Sequence, residues 1–188
     1  MLKTRTLSRI NVFPEVSNPR RGRIIAGNMV IPCALGAGAT THKKREGDGA
    51  TPLGTHHPVL GFYRADKVRR PNTAVPMRAM RQSDGWCDDV SHRSYNRHVT
   101  RPFTARHEKM WRDDHLYDIV LDLGWNMRPR IHGRGSAIFL HIAKDNFGPT
   151  EGCIAIPRHL AQRFLSVIGP HTRIIVGSDA KPVRKQSG

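Results

Sequence analysis

The chain has 188 residues, 38% hydrophobic and 24% charged, enough for one domain with a true core and too few for two comfortable ones. Lys and Arg outnumber Asp and Glu by 31 to 15, and the formal charge of +16 draws anionic partners: nucleic acid, acidic lipid or a wall polymer. No apolar run reaches the length of a membrane span, the basic start lacks the apolar block of a secretory signal, and the three cysteines show no C-x-x-C spacing, so a membrane span, a visible export address, a disulfide framework and a structural zinc site are all disfavoured.

Residues 1–21 are polar, basic and aperiodic, and are expected to be a frayed segment, as is the tail 178–188. The domain is expected between them, over residues 22–177. "GRIIAGNMVIPCALG" predicts two short strands broken at the turn pair Gly27-Asn28. "EGDGATPLGTHHPVLGFY" opens on the turn signal Asp48-Gly49, and Pro52 and Gly54 mark a further turn before a new extended run. Adjacent His56 and His57 would point to opposite faces of a strand. Ser83 to His115 shows little periodicity but carries Trp86, Tyr95 and Trp111. It is either a flap over a cleft or a solvated insertion with aromatic anchors in the core.

"LYDIVLDLGWN" alternates Ile119, Leu121 and Leu123 with Val120, Asp122 and Gly124. "SAIFLH" is nearly all apolar, the pattern of a short strand buried on both faces. "PRHLAQRFLSVIGP" predicts the principal helix: Pro157 suits its first turn, Leu160, Phe164, Val167 and Ile168 form a stripe, and Gly169-Pro170 ends it. "TRIIVG" closes as a strand. Many strands with one helix near the C-terminus predict a mainly β fold, a sandwich or open barrel.

A thiol attacks as its thiolate, so local field and exposure discriminate among the cysteines. Cys33, in "VIPCAL", has the setting of a buried packing residue. Cys87 is followed by Asp88 and Asp89, which oppose its ionisation. Cys153 follows Gly152, which lets a backbone N–H face a reacting oxygen; the amides of Gly152 and Cys153 are the candidate oxyanion donors. His141 ends the apolar strand, and the loop after it is long enough to bring "GCIAI" back as the neighbouring segment, placing the thiol beside a base. His132 and His159 compete for that role, and Cys153 and His141 as core residues are the plain alternative. Glu151 would oppose a thiolate unless it points away or is neutralised by an arginine. The basic residues are scattered, without a finger spacing or an RNA-binding sheet signature, so no nucleic acid is expected. Eleven histidines include no H-E-x-x-H pair, so no metal is expected.

"IFLHIAKDNFGPTEGCIAI" resembles the active-site block of YkuD-type L,D-transpeptidases: a strand ending in His, a loop, then Ser/Thr-x-Gly-Cys and an apolar residue, here Thr150, Gly152, Cys153 and Ile154. "REGDGATPLGTHHPVLGF" is similar to that family's Thr-Pro-x-Gly block, and the resemblance covers residues 22–177. It implies that Cys153, deprotonated by His141 with His132 as runner-up, attacks the diamino acid–D-Ala bond of a peptidoglycan tetrapeptide stem. A thioester would follow, then a cross-link, with no cofactor. Carbapenem-like lactams would form covalent adducts. Tyr117, Trp125, Asn126, His132 and Thr150 are the candidate substrate contacts, with core or turn packing the alternative for Tyr117, Trp125 and Asn126. The sequence departs from the family at Ile142, where Gly is common, and at Glu151 and Ala155. The family implies a place in the cell envelope or periplasm. The absence of a visible export signal favours a cytoplasmic L,D-carboxypeptidase of muropeptide recycling, and a basic wall- or nucleic-acid-binding module is the non-enzymatic alternative.

Overall fold

The computed structural model describes residues 6–177. The N-terminal third contains β1 (Arg9–Pro14), β2 (Arg21–Ala26), β3 (Met29–Ala34), β4 (Thr40–Thr41), β5 (Thr51–Pro52), β6 (Gly54–His56) and β7 (Gly61–Tyr63). The middle adds β8 (Met77–Ala79), β9 (Asp84–Cys87), β10 (Arg97–Thr100) and β11 (His107–Lys109). Then come β12 (Ile119–Asp122), β13 (Phe139–Ile142), β14 (Ile154–Ile156), α1 (Arg158–Leu165) and β15 (Arg173–Val176). The mainly β architecture with a single C-terminal helix among the described residues matches the expectation.

Ten strands form one curled, open-ended sheet in the order β6-β15-β1-β2-β3-β14-β13-β12-β7-β8. A three-stranded sheet, β10-β9-β11, and a two-stranded one, β4-β5, complete the fold. Strand β1 lies inside the stretch expected to fray. Its Ile10 and Val12 are fully buried, because β1 is wedged between β2 and the distant β15. Two apolar residues alternating about Asn11 are too short a pattern to announce a strand whose partner lies at the other end of the chain. The tail expected to fray, 178–188, lies outside the described residues.

The period-two geometry of the strands sorts side chains onto two faces. One face carries Leu121, Leu140, Ile142, Ile154 and Ile156, and Phe164, Leu165 and Ile168 of α1 and the turn after it pack against it. Pro157 stands at the N-cap position, just before α1 rather than in its first turn, and the helix ends at Leu165, short of the expected stop at Gly169-Pro170. Arg158, at its first position, places Nη1 2.7 Å from Oδ2 of buried Asp118, which ties the helix to the start of β12. The other face carries Phe62, Val120, Phe139 and Cys153, and the small sheet covers it with Trp86 and Met110. The segment 83–115 is thus no bare loop: it folds as a second β layer, buried through Trp86 and Tyr95 and exposed to solvent at its turns. Trp86 stands edge-on to Phe139 with ring centroids 5.0 Å apart.

Candidate active site

The thiol and the imidazole meet because β13 and β14 run parallel in adjacent positions. Leu140 pairs with Ile154 and His141 with Ala155, so Cys153 lies beside Phe139, two positions along from His141 on the same face. The loop 143–153 makes the return, as its length suggested. Both residues line a cleft of about 150 Å³ together with Tyr117, Glu108 and Arg112. Cys153 is 7% and His141 6% exposed, so the cleft reaches them through a narrow opening.

Local backbone chemistry fixes the candidate nucleophile, Cys153. Thr150 Oγ1 donates to the Cys153 carbonyl at 2.7 Å and accepts from the Gly152 N–H at 3.1 Å. Thr51, from the Thr-Pro-x-Gly block, reaches the same carbonyl through its hydroxyl at 3.3 Å. Gly152 has φ of +121°, and a Cβ there would lie 2.8 Å from the Ala50 carbonyl oxygen. Only glycine fits that turn without strain. The sulfur sits 3.2 Å from the Ala137 carbonyl and 3.4 Å from the Phe139 N–H.

His141 Nδ1 lies 2.8 Å from the Ile142 carbonyl oxygen. A carbonyl only accepts, so Nδ1 carries the proton and Nε2 keeps its lone pair, the form a general base needs. The Tyr117 ring packs at 66° to the imidazole with centroids 5.2 Å apart and holds its plane. Burial disfavours charge on both partners. It pushes the His141 imidazole down to about 4, and burial followed by the Glu108 carboxylate pushes the Cys153 thiol up to about 12. The resting pair is therefore neutral thiol and neutral imidazole. Cys33 is raised to about 12 by burial as well, and Cys87 is raised by burial with Asp89 and Asp88 adding to it. Ionisation does not single out Cys153; its cleft and its histidine do.

The charge that matters most is not the one the sequence pointed to. Glu151 also lines the cleft but is exposed, so it raises the thiol less than Glu108 does, and Lys44 opposes both. Lys44 is buried, ion-paired to Asp48, with Nζ 3.3 Å from where a Gly152 Cβ would stand. Glu108, on β11, accepts a hydrogen bond from the Tyr117 hydroxyl at 2.6 Å. Nothing in the aperiodic segment that holds Glu108 marked it. Strands of three residues are too short to show a period.

Of the other expected contacts, Tyr117 and Thr150 line the cleft and three residues do not. Trp125 and His132 line a separate groove with Lys43, Arg45 and Arg134. His132 is pinned by Nδ1 to the Val90 carbonyl and packs against Tyr95, which rules it out as the base for Cys153. His159 is exposed on α1, away from the cleft. Asn126 is a turn brace: it has φ of +52°, and its amide donates to the Ile131 and Gly135 carbonyls at 2.8 and 3.0 Å. Among the described residues no three His, Cys, Asp or Glu side chains gather as metal ligands, and no helix is long and apolar enough to cross a membrane.

The family model described as YkuD, the L,D-transpeptidase catalytic domain, matches residues 16–176. No curated protein sequence matches the chain.

Proposed function

The chain belongs to the YkuD family of L,D-transpeptidase catalytic domains, and from that premise we propose that it cross-links peptidoglycan tetrapeptide stems at the cell envelope through a thioester on Cys153. The observation that carries this reading is the shared cleft of Cys153 and His141 on adjacent parallel strands. A buried neutral pair works by passing the proton as the bond forms. His141 Nε2 takes the thiol proton while sulfur attacks the carbonyl of the diamino acid, so no thiolate need accumulate. The Gly152 N–H is already held by Thr150, which leaves the Cys153 amide as the oxyanion donor, with the Lys44 ammonium behind Gly152 adding positive potential. His141 returns the proton to the departing D-alanine amine. An amine of a second stem then attacks the thioester to form the cross-link, whereas water gives a trimmed tripeptide.

Incubation with a carbapenem followed by intact-mass measurement tests the nucleophile, and disaccharide-tetrapeptide turnover tests the reaction. The wild type is expected to gain one lactam, Cys153→Ala none, and His141→Ala to acylate about 100-fold or more slowly. Equal adducts on wild type and Cys153→Ala would overturn the assignment. Tripeptide without dimer would make the protein an L,D-carboxypeptidase.

A further inference from the structure

Acylation has no use for the carboxylate beside the thiol. Glu108 lines the same cleft as Cys153 and His141 and is fixed by the Tyr117 hydroxyl at 2.6 Å. A negative group there opposes both a thiolate and an oxyanion, so it works against the first half of the reaction. Arg112, also in the cleft, is turned to Asp114 at 2.7 Å and does not neutralise it by direct pairing. The second half has a different requirement. A primary amine acceptor arrives as an ammonium at neutral pH, since its ordinary pKa is about 10. It carries three protons and must end as an amide with one, so two protons leave. His141 has one free ring nitrogen and accepts only one.

We propose that Glu108 is the acceptor site: it receives the primary ammonium of the second stem and takes its first proton, which makes the amine a nucleophile. This rests on the transpeptidase reading above. The amine nitrogen then bonds to the thioester carbon and its second proton passes to His141 Nε2. The carbon–sulfur bond breaks and His141 hands that proton to the departing sulfur, restoring the thiol. Glu108 releases its proton to solvent, so the net products are the amide, free enzyme and one proton. Burial raises Glu108 above an ordinary glutamate, which strengthens it as a base. Water needs no such group: one proton moves through His141, and the other stays on the product acid until it ionises. Glu108 thus favours aminolysis over hydrolysis.

The test is Glu108→Gln, which keeps an oxygen to accept from Tyr117, assayed on disaccharide-tetrapeptide donor. The dimer-to-tripeptide ratio is expected to fall at least about 100-fold, the low end of the usual range for a general base. Carbapenem adduct formation should match wild type or run faster, since a negative charge beside the thiol is gone; that same measurement shows the variant is folded. Hydroxylamine, already neutral at the assay pH, should still give hydroxamate at the wild-type rate or faster. An unchanged dimer ratio, or dimer and hydroxamate falling together, would overturn the proposal in favour of a structural role. Wild-type protein that forms adducts and tripeptide but no dimer would overturn it as well. A wild type that forms no adduct and releases no D-alanine would instead bring down the transpeptidase reading itself, and the acceptor site with it.

Discussion

Cys153 near 12 and His141 near 4 leave a window of several pH units in which neither is charged. Two rates respond differently to that window. Lactam or stem acylation needs neutral imidazole, so it should fall as pH drops through about 4 and stay flat through neutrality. Alkylation by iodoacetamide, which needs preformed thiolate, should keep rising with pH toward about 12 with no plateau near neutrality. Measuring both from pH 3.5 to 10 on the same protein checks this; an alkylation plateau from pH 5 upward would mean a resting thiolate–imidazolium pair. Legibility at this scale followed type and spacing. His141, Gly152 and Cys153 stand out because their chemistry needs those residues in that order. Thr150 was visible only through the resemblance, and Glu108 was silent, since one glutamate in a short irregular strand looks like any surface charge.

At the scale of elements, the small sheet β9–β11 packs over Phe139 and brings Glu108 to the cleft. Trp86 is 3% exposed, lies edge-on to Phe139, and donates its indole N–H to Asn96 Oδ1 at 3.0 Å. Trp86→Ala is expected to cost about 3–5 kcal/mol, as large aromatic truncations in a core do. Urea unfolding followed by fluorescence of the remaining tryptophans checks it. Lost activity with an unchanged midpoint would show instead that the layer opens separately from the main sheet. The strands that could be read beforehand, β2, β3, β12, β13, β14 and β15, have local turn chemistry, alternation or dense apolar runs. Those that could not, β1 and β9–β11, take their order from remote partners: β1 from β15, and the small sheet from Phe139 and Tyr117 beneath it.

Across the whole molecule, the excess positive charge is expected to govern how the protein meets an anionic partner. With +16 spread over the chain and Lys43, Arg45 and Arg134 around the groove of Trp125 and His132, adsorption to anionic wall material should be fast and salt-dependent. Binding to isolated sacculi is expected to weaken severalfold between 50 and 300 mM salt, about the range in which the Debye length shortens from 14 to 6 Å. Lactam acylation, governed by the buried cleft, should change little. Parallel losses in both would place the charge effect in the cleft rather than on the surface.

The main-chain oxygen of residue 153 is clasped by hydroxyls from Thr51 and Thr150, a hundred positions apart in the chain. Neither the first third of the polypeptide nor the last can shape the reactive turn alone. The turn that carries Cys153 is therefore complete only once these two distant segments have docked on each other.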